Sequence, residues 1–203
     1  MKNYNHRLST IVFSGFFALY LISGICSAQE TDRKGKFEFF GMIQGNDTIQ
    51  TESTFYGQEL RIDGGPSGGF GFGYNFNENL NVNTTLFFAK RDIELNTLSG
   101  TLLAEADADM FIWDINLDYY ILKDPFTPMI ACGLGVINLE GTYNTGQSFD
   151  ESNMNWNLGA GFRWDISEKW FLKLFYKRIW TEFEDADDES RIHNLSLNLG
   201  YKF

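Results

Sequence analysis

Cysteine and histidine are scarce in this chain of 203 residues: it has two of each. One of each falls within the first 28 positions, so Cys132 and His193 are alone beyond them. A single cysteine excludes an internal disulfide and any thiolate metal cluster. Basic residues are short as well, with 16 Lys and Arg against 27 acids and a formal net charge of −11. Because Lys2 and Arg7 lie in the first segment, which has no acid, the remainder holds 14 basic residues and a net charge of −13. So acidic a chain lacks the basic face that nucleic-acid phosphates require. Beyond residue 28 no apolar run approaches the ~20 residues of a membrane-spanning helix. Any crossing of a bilayer must then be made by strands, since only helices and closed barrels satisfy every backbone hydrogen bond in lipid.

The one long apolar stretch is N-terminal. Lys2 and Arg7 precede Ile11 to Ile25, and Cys26-Ser27-Ala28 places small residues before Gln29 and Glu30. This pattern predicts a secretory signal peptide over residues 1–28, cut after Ala28, followed by one domain over 29–203. A spanning anchor would want roughly 18 apolar residues or more. A lipoprotein site at Cys26 would want a small residue where Ile25 stands.

What the domain does contain is alternation. Near the C-terminus Leu195, Leu197, Leu199, Tyr201 and Phe203 alternate with Ser196, Asn198, Gly200 and Lys202. That is period two, the mark of a strand with one apolar and one polar face. Seven further segments repeat it, at 36–44, 67–76, 80–92, 110–122, 129–142, 154–166 and 170–183. In the second, Phe70, Phe72, Tyr74 and Phe76 alternate with Gly69, Gly71, Gly73 and Asn75. No helical pattern follows those glycines, which excludes a nucleotide-binding loop. In the fifth, parity blurs at 137–139, where a bulge is expected. Short turns follow strands two, four and six. Longer polar connections follow the others and include two acidic loop segments, Glu105 to Asp109 and Asp185 to Glu189. The segment 48–63 either extends strands one and two or folds into the mouth of the sheet.

Strands of about 10 residues with alternating short and long connections are the layout of an outer-membrane barrel. The terminal Leu195 to Phe203, the Gly/Phe strand and Trp156 to Trp164 resemble the small OmpA/OmpX-type outer-membrane β-barrels, over the whole of 29–203. The resemblance implies an all-β fold, an eight-stranded antiparallel up-and-down transmembrane β-barrel, monomeric, in the outer membrane of a Gram-negative bacterium with both termini periplasmic. It also implies outer-membrane lipid and lipopolysaccharide as surroundings, and recognition by the barrel assembly machinery through Tyr201 and Phe203. The chain stops where the barrel stops, so no cell-wall tether is expected. A soluble lipocalin-like barrel would instead have to pack its Trp and Phe inside and leave Gly- and Asn-rich faces wet.

With the apolar stripes outward, Glu38, Asp114, Asp118, Arg163, Asp165, Lys173, Lys177 and Lys202 point into the lumen. An eight-stranded lumen is only wide enough for side chains to fill. Buried charges there must be paired, which predicts a salt-bridged network. Lys202 is expected to meet Glu38, and Arg163, Asp165 and Lys173 to form a second cluster, with inward Gly133, Gly135, Gly159 and Gly161 making room for Tyr120. The basic residues left on the lipid face, Lys90 and Arg178, fall near the outer rim, where charge costs only about 0–1 kcal/mol. The functional expectation is a structural, envelope-integrity or surface-interaction barrel without cofactor, metal or catalytic residue, its loops open to an extracellular partner. A conduit for small or apolar solutes is the alternative. A lipid A-modifying enzyme would need a base touching a nucleophile, and His193 and Ser196 lie on opposite faces of their strand.

Overall fold

A computed structural model describes residues 32–53, 58–97, 99–181 and 190–203. The predicted signal peptide and the acidic segment Asp185 to Glu189 lie outside these residues. Ten strands follow one another: β1 Phe37–Asn46, β2 Ile49–Ser53, β3 Gln58–Ile62, β4 Gly65–Asn75, β5 Leu80–Thr97, β6 Leu102–Tyr120, β7 Phe126–Tyr143, β8 Ser148–Asp165, β9 Trp170–Thr181 and β10 Ser190–Lys202. Eight of them, β1 and β4 to β10, close an antiparallel barrel. Its last seam joins β1 to β10, with Glu38 opposite Lys202 and Phe39 opposite Tyr201. Closure leaves these strands no free edge in the wall, the condition for crossing lipid. β2 and β3 form a hairpin that continues the wall, with β3 laid along the upper end of β5, Gln58 opposite Thr97 and Ile62 opposite Ile93. Of the two options for residues 48–63, extension of the wall is the one adopted.

The turns at the end where Asp32 and Phe203 lie are tied by side chains of the expected types. Asn77 Oδ1 accepts from the N–H groups of Asn79 (2.8 Å) and Leu80 (2.9 Å), and Ser167 Oγ accepts from Trp170 N–H at 3.0 Å. Such local bonds satisfy turn backbone that neither strand can reach.

Strand parity holds further than the sequence suggested. The pairing of β7 with β6 and β8 runs without a break through Ile137 to Leu139, so no bulge lies there. The single register shift in the β5–β6 pair falls between Leu95 and Asn96, where Leu95 faces Ala104 and Asn96 faces Leu102, so the extra residue is Leu103 on β6. Ile137 and Leu139 keep their parity and are apolar because the part of the lumen they enter is apolar. Glu105 to Asp109, expected in a loop, belongs to β6, and 148–152, also expected in a loop, opens β8.

These extensions expose a reversal of polarity along the wall. On β6 and the residue just past it the outward side chains from Ile121 to Phe111 are apolar, whereas the next ones, Asp109, Asp107 and Glu105, are acidic and face outward, alternating with inward Ala108, Ala106 and Ala104. β5 switches between exposed Phe88 and Lys90, β8 between Met154 and Asp150, and β9 between Tyr176 and Arg178. Below the switch the barrel is greasy outside and polar inside. Above it, the arrangement is that of a water-soluble sheet. From Phe111 to Ile121 the chain climbs about 33 Å, or about 25 Å across a bilayer at the usual ~40° tilt, which matches the apolar band of an outer-membrane barrel. Aromatic rings collect at both rims. Trp170 packs edge-on to Tyr201 and Phe37 stacks on Phe203 at the turn end, while Trp156 and Trp180 stack 4.0 Å apart towards the other.

Candidate functional site

The alternation that faces lipid on one side delivers every second residue of eight strands to the lumen. Glu38, Asp114, Asp118, Arg163, Asp165, Lys173, Lys177 and Lys202 all point inward and are buried. At the turn end, one connected set forms around Arg163. Its guanidinium meets Glu38 at 2.7 Å and Asp165 at 2.8 Å, donates to the Tyr120 hydroxyl at 2.9 Å, and lies 4.1 Å from the centre of the Phe171 ring. Lys173 joins Glu38 (3.7 Å) to Asp118 (3.0 Å).

Two details differ from the expected pairing. Lys202 stands opposite Glu38 across the seam, but its ammonium reaches Asp165 at 2.9 Å, while Glu38 is occupied by Arg163. The two expected clusters are therefore one. Higher in the barrel, Lys177 and Asp114 form a separate pair at 2.5 Å. Ion pairs of this kind are tolerable in a low-dielectric interior because each charge meets an opposite one, and breaking a pair leaves its partner unsolvated.

Glycines make the network possible, though not for Tyr120. A Cβ on Gly200 would come within 2.2 Å of the Phe171 ring, and one on Gly71 within 2.4 Å of the Phe40 ring. Phe40 and Phe171 are buried against each other edge-on, with the Lys173 ammonium over both. Gly133 and Gly135 instead clear space for Asn116 and Asp114, and Gly159 and Gly161 for Phe175.

Arg33 was not anticipated. It precedes β1, where no periodicity marks it, yet it is fully buried and closes the terminal mouth. Its Nε meets Asp165 at 2.7 Å, and its other nitrogens donate to the carbonyls of Glu78 (3.1 Å), Leu122 (3.2 Å) and Asp124 (2.6 Å). Glu78 in turn accepts from the Arg33 N–H at 3.0 Å. One side chain thus stitches two turns and the end of β8. Arg33→Ala is expected to lower stability by about 1.5–3 kcal/mol, the range for hydrogen bonds to a charged group. Asp165 keeps Arg163 and Lys202 in that variant, so the midpoint of urea unfolding should fall less than for loss of Arg163.

Between the network and the far end lies a polar tier with a cavity of about 30 Å³ bordered by Asn83, Asn116, Lys173, Lys177, Asn194 and Asn198. A space of that size holds about two waters. Both amide atoms of Gln44, Asn155 and Asn157 and the Oδ1 of Asn198 are buried without a protein partner. Above this tier Phe87, Ile112, Ile137, Leu139, Ile179 and Ile192 close the lumen as an apolar collar. Arg91 also points inward, where it donates to the carbonyls of Gly65 and Pro66 at 3.2 Å. His193 and Ser196 are divided as their spacing requires: the His193 ring lies outside against the Tyr176 hydroxyl, and Ser196 lies inside, donating to the Phe175 carbonyl. Among the described residues no group of three or more His, Cys, Asp or Glu is placed to hold a metal ion.

Comparison with known proteins follows the same lines. The model of the outer membrane protein beta-barrel domain matches residues 16–203. Among solved structures, Ail, the attachment invasion locus protein of Yersinia pestis, superposes with a TM-score of 0.55 at 16% identity, covering 84% of this chain and 99% of Ail. The outer membrane protein OprG of Pseudomonas aeruginosa gives 0.53 at 16% identity over 86% and 98% of the two chains. The N-terminal barrel of OprF, from the same organism, gives 0.50 at 13% over 84% and 98%. At such identities the likeness is one of fold. No curated protein matches the sequence.

Proposed function

This chain belongs to the outer membrane protein beta-barrel domain family, and from that premise we propose that it is a closed, non-conducting barrel that serves the envelope structurally and presents an extracellular rim for interaction. The observation that carries this reading is the double closure of the lumen. Among the described residues, Arg33 and the Arg163 network fill one end, the apolar collar fills the other, and a cavity of about 30 Å³ lies between them. With the termini and short turns periplasmic, β5 to β8 and the β2–β3 hairpin project outside the cell. Tyr201 and Phe203 end the closing strand, where the assembly machinery would read them. The chain acts without a cofactor, as a monomer, in contact with lipid and lipopolysaccharide.

Ail has been solved with a heparin analogue, sucrose octasulfate. The projecting wall here carries Asp92, Glu94, Glu105, Asp107, Asp109, Glu140 and Asp150, a charge that repels polyanions and favours a cationic partner. A second reading, a conduit for small solutes, draws on the polar middle tier, whose unpartnered amides suit water. Reconstitution in planar bilayers separates the two. A silent membrane is expected, and steady selective current from the wild-type protein would establish the conduit.

A further inference from the structure

The outer wall of β9 and β10 holds two guanidinium groups that no carboxylate among the described residues serves. Arg178 and Arg191 both face outward, and among the described residues neither has an ion-pair partner, with Arg178 Nε buried and unbonded. In a chain with so large an acidic excess this is unusual. Two other outward cations of the wall are matched, Lys90 by Asp109 at 3.7 Å and Arg61 by Asp63 at 3.0 Å. Asp47 lies close by, but its carboxylate accepts from the backbone N–H of His193 at 2.8 Å.

The position of the pair is specific. Arg178 stands opposite His193, and Arg191 stands opposite Trp180. The two arginines are therefore diagonal neighbours on one face, about 7–8 Å apart at the backbone. Both long side chains can reach a single group set between them. The Arg178 guanidinium lies 5.1 Å from the centre of the Trp180 ring, which itself stacks on Trp156. Directly below, the wall is lipid-facing, with Leu174, Leu195 and Leu197 exposed. The pair thus sits one step above the apolar band, at the level of lipid headgroups, where aromatic belts anchor a barrel. Elsewhere the first charged step above the band includes Asp109, Glu140 and Asp150.

We propose that Arg178 and Arg191, braced by Trp180, form a seat for the phosphate of a phosphorylated lipid headgroup in the leaflet that meets the β9–β10 side of the barrel. Two guanidiniums on diagonal positions of one face repel each other, and a phosphate monoester between them converts that repulsion into charge-assisted hydrogen bonds with matching fork geometry. The inference rests on the membrane reading above and sharpens it by giving the lipid contact a chemistry and a place.

The test is native mass spectrometry of the full barrel released from bicelles of phosphatidylcholine mixed with phosphatidic acid. Wild-type protein should retain phosphatidic acid over phosphatidylcholine by on the order of tenfold, as expected of two basic residues at a membrane surface. The double variant R178Q/R191Q should lose that preference, and K90Q should keep it. No preference in the wild type, or a preference that survives R178Q/R191Q, overturns the proposal. So does displacement of the lipid by millimolar inorganic phosphate, which would make the seat one for the free ion. A destabilisation of R178Q/R191Q that is equal in pure phosphatidylcholine also overturns it, because the guanidiniums would then serve the chain's own acids. Barrel insertion is read separately by heat-dependent gel migration, so failure of the membrane reading and failure of the seat give different results.

Discussion

Arg163→Ala is expected to cost about 3–5 kcal/mol of folding stability, the range found when one partner of a buried pair is removed. The loss falls chiefly on Glu38. That carboxylate is fully buried and would keep only Lys173 at 3.7 Å and the amides of Asn75 (2.7 Å) and Asn81 (3.5 Å). Asp165 suffers less, since Arg33 and Lys202 remain within 2.9 Å of it. Packing is lost as well, because the guanidinium lies over both Phe171 and Tyr120. Urea unfolding of barrels folded into vesicles measures the effect. The paired change Glu38→Gln with Arg163→Met should recover much of the loss, since it removes both charges of the pair and leaves no uncompensated carboxylate buried at position 38. If the double variant were as unstable as the sum of the singles, the two residues would not be coupled.

The second large effect tests the reversal of polarity along the wall. Ile115 is exposed on β6 between Trp113 and Leu117, near the middle of the apolar band. Ile115→Arg should therefore cost about 2–4 kcal/mol, the depth-dependent penalty for arginine on the lipid face near the midplane. Asp107 occupies the same outward face of the same strand, four alternations away and above the switch. Asp107→Arg should change stability by no more than about 0.5 kcal/mol, as surface substitutions usually do. The comparison holds strand, face and new side chain fixed while depth changes. Equal costs at the two positions would place the switch wrongly.

Much of this was legible because period two fixes sidedness residue by residue. Glu38 on β1, Asp114 and Asp118 on β6 and Lys173 and Lys177 on β9 fall on the polar stripe, and so into the lumen. The far end was harder to read for a physical reason. Above the membrane the stripes exchange roles, and Ala104, Ala106 and Ala108 alternating with Glu105, Asp107 and Asp109 offer weak strand formers beside acids. Such a segment resembles a solvated loop until its neighbours pair with it. At Ile137 and Leu139 the same exchange mimicked a bulge.

Which carboxylate each cation chooses depends on how far the strands stagger around the barrel, and sequence periodicity does not encode that. Lys202 illustrates the point, directly opposite Glu38 yet bonded to Asp165. Arg33 had no signal beyond being a lone arginine just ahead of the first strand. The roles of Gly71 and Gly200 were recoverable only from knowing that Phe40 and Phe171 point inward.

The most direct measurement is tryptophan quenching by lipids brominated along their acyl chains. All five tryptophans, Trp113, Trp156, Trp164, Trp170 and Trp180, stand on the outward stripe. Brominated bilayers should therefore extinguish most of the emission of the inserted protein. Emission that survives unchanged would mean that the indoles are shielded from acyl chains, and the outward facing of the apolar stripe would be wrong.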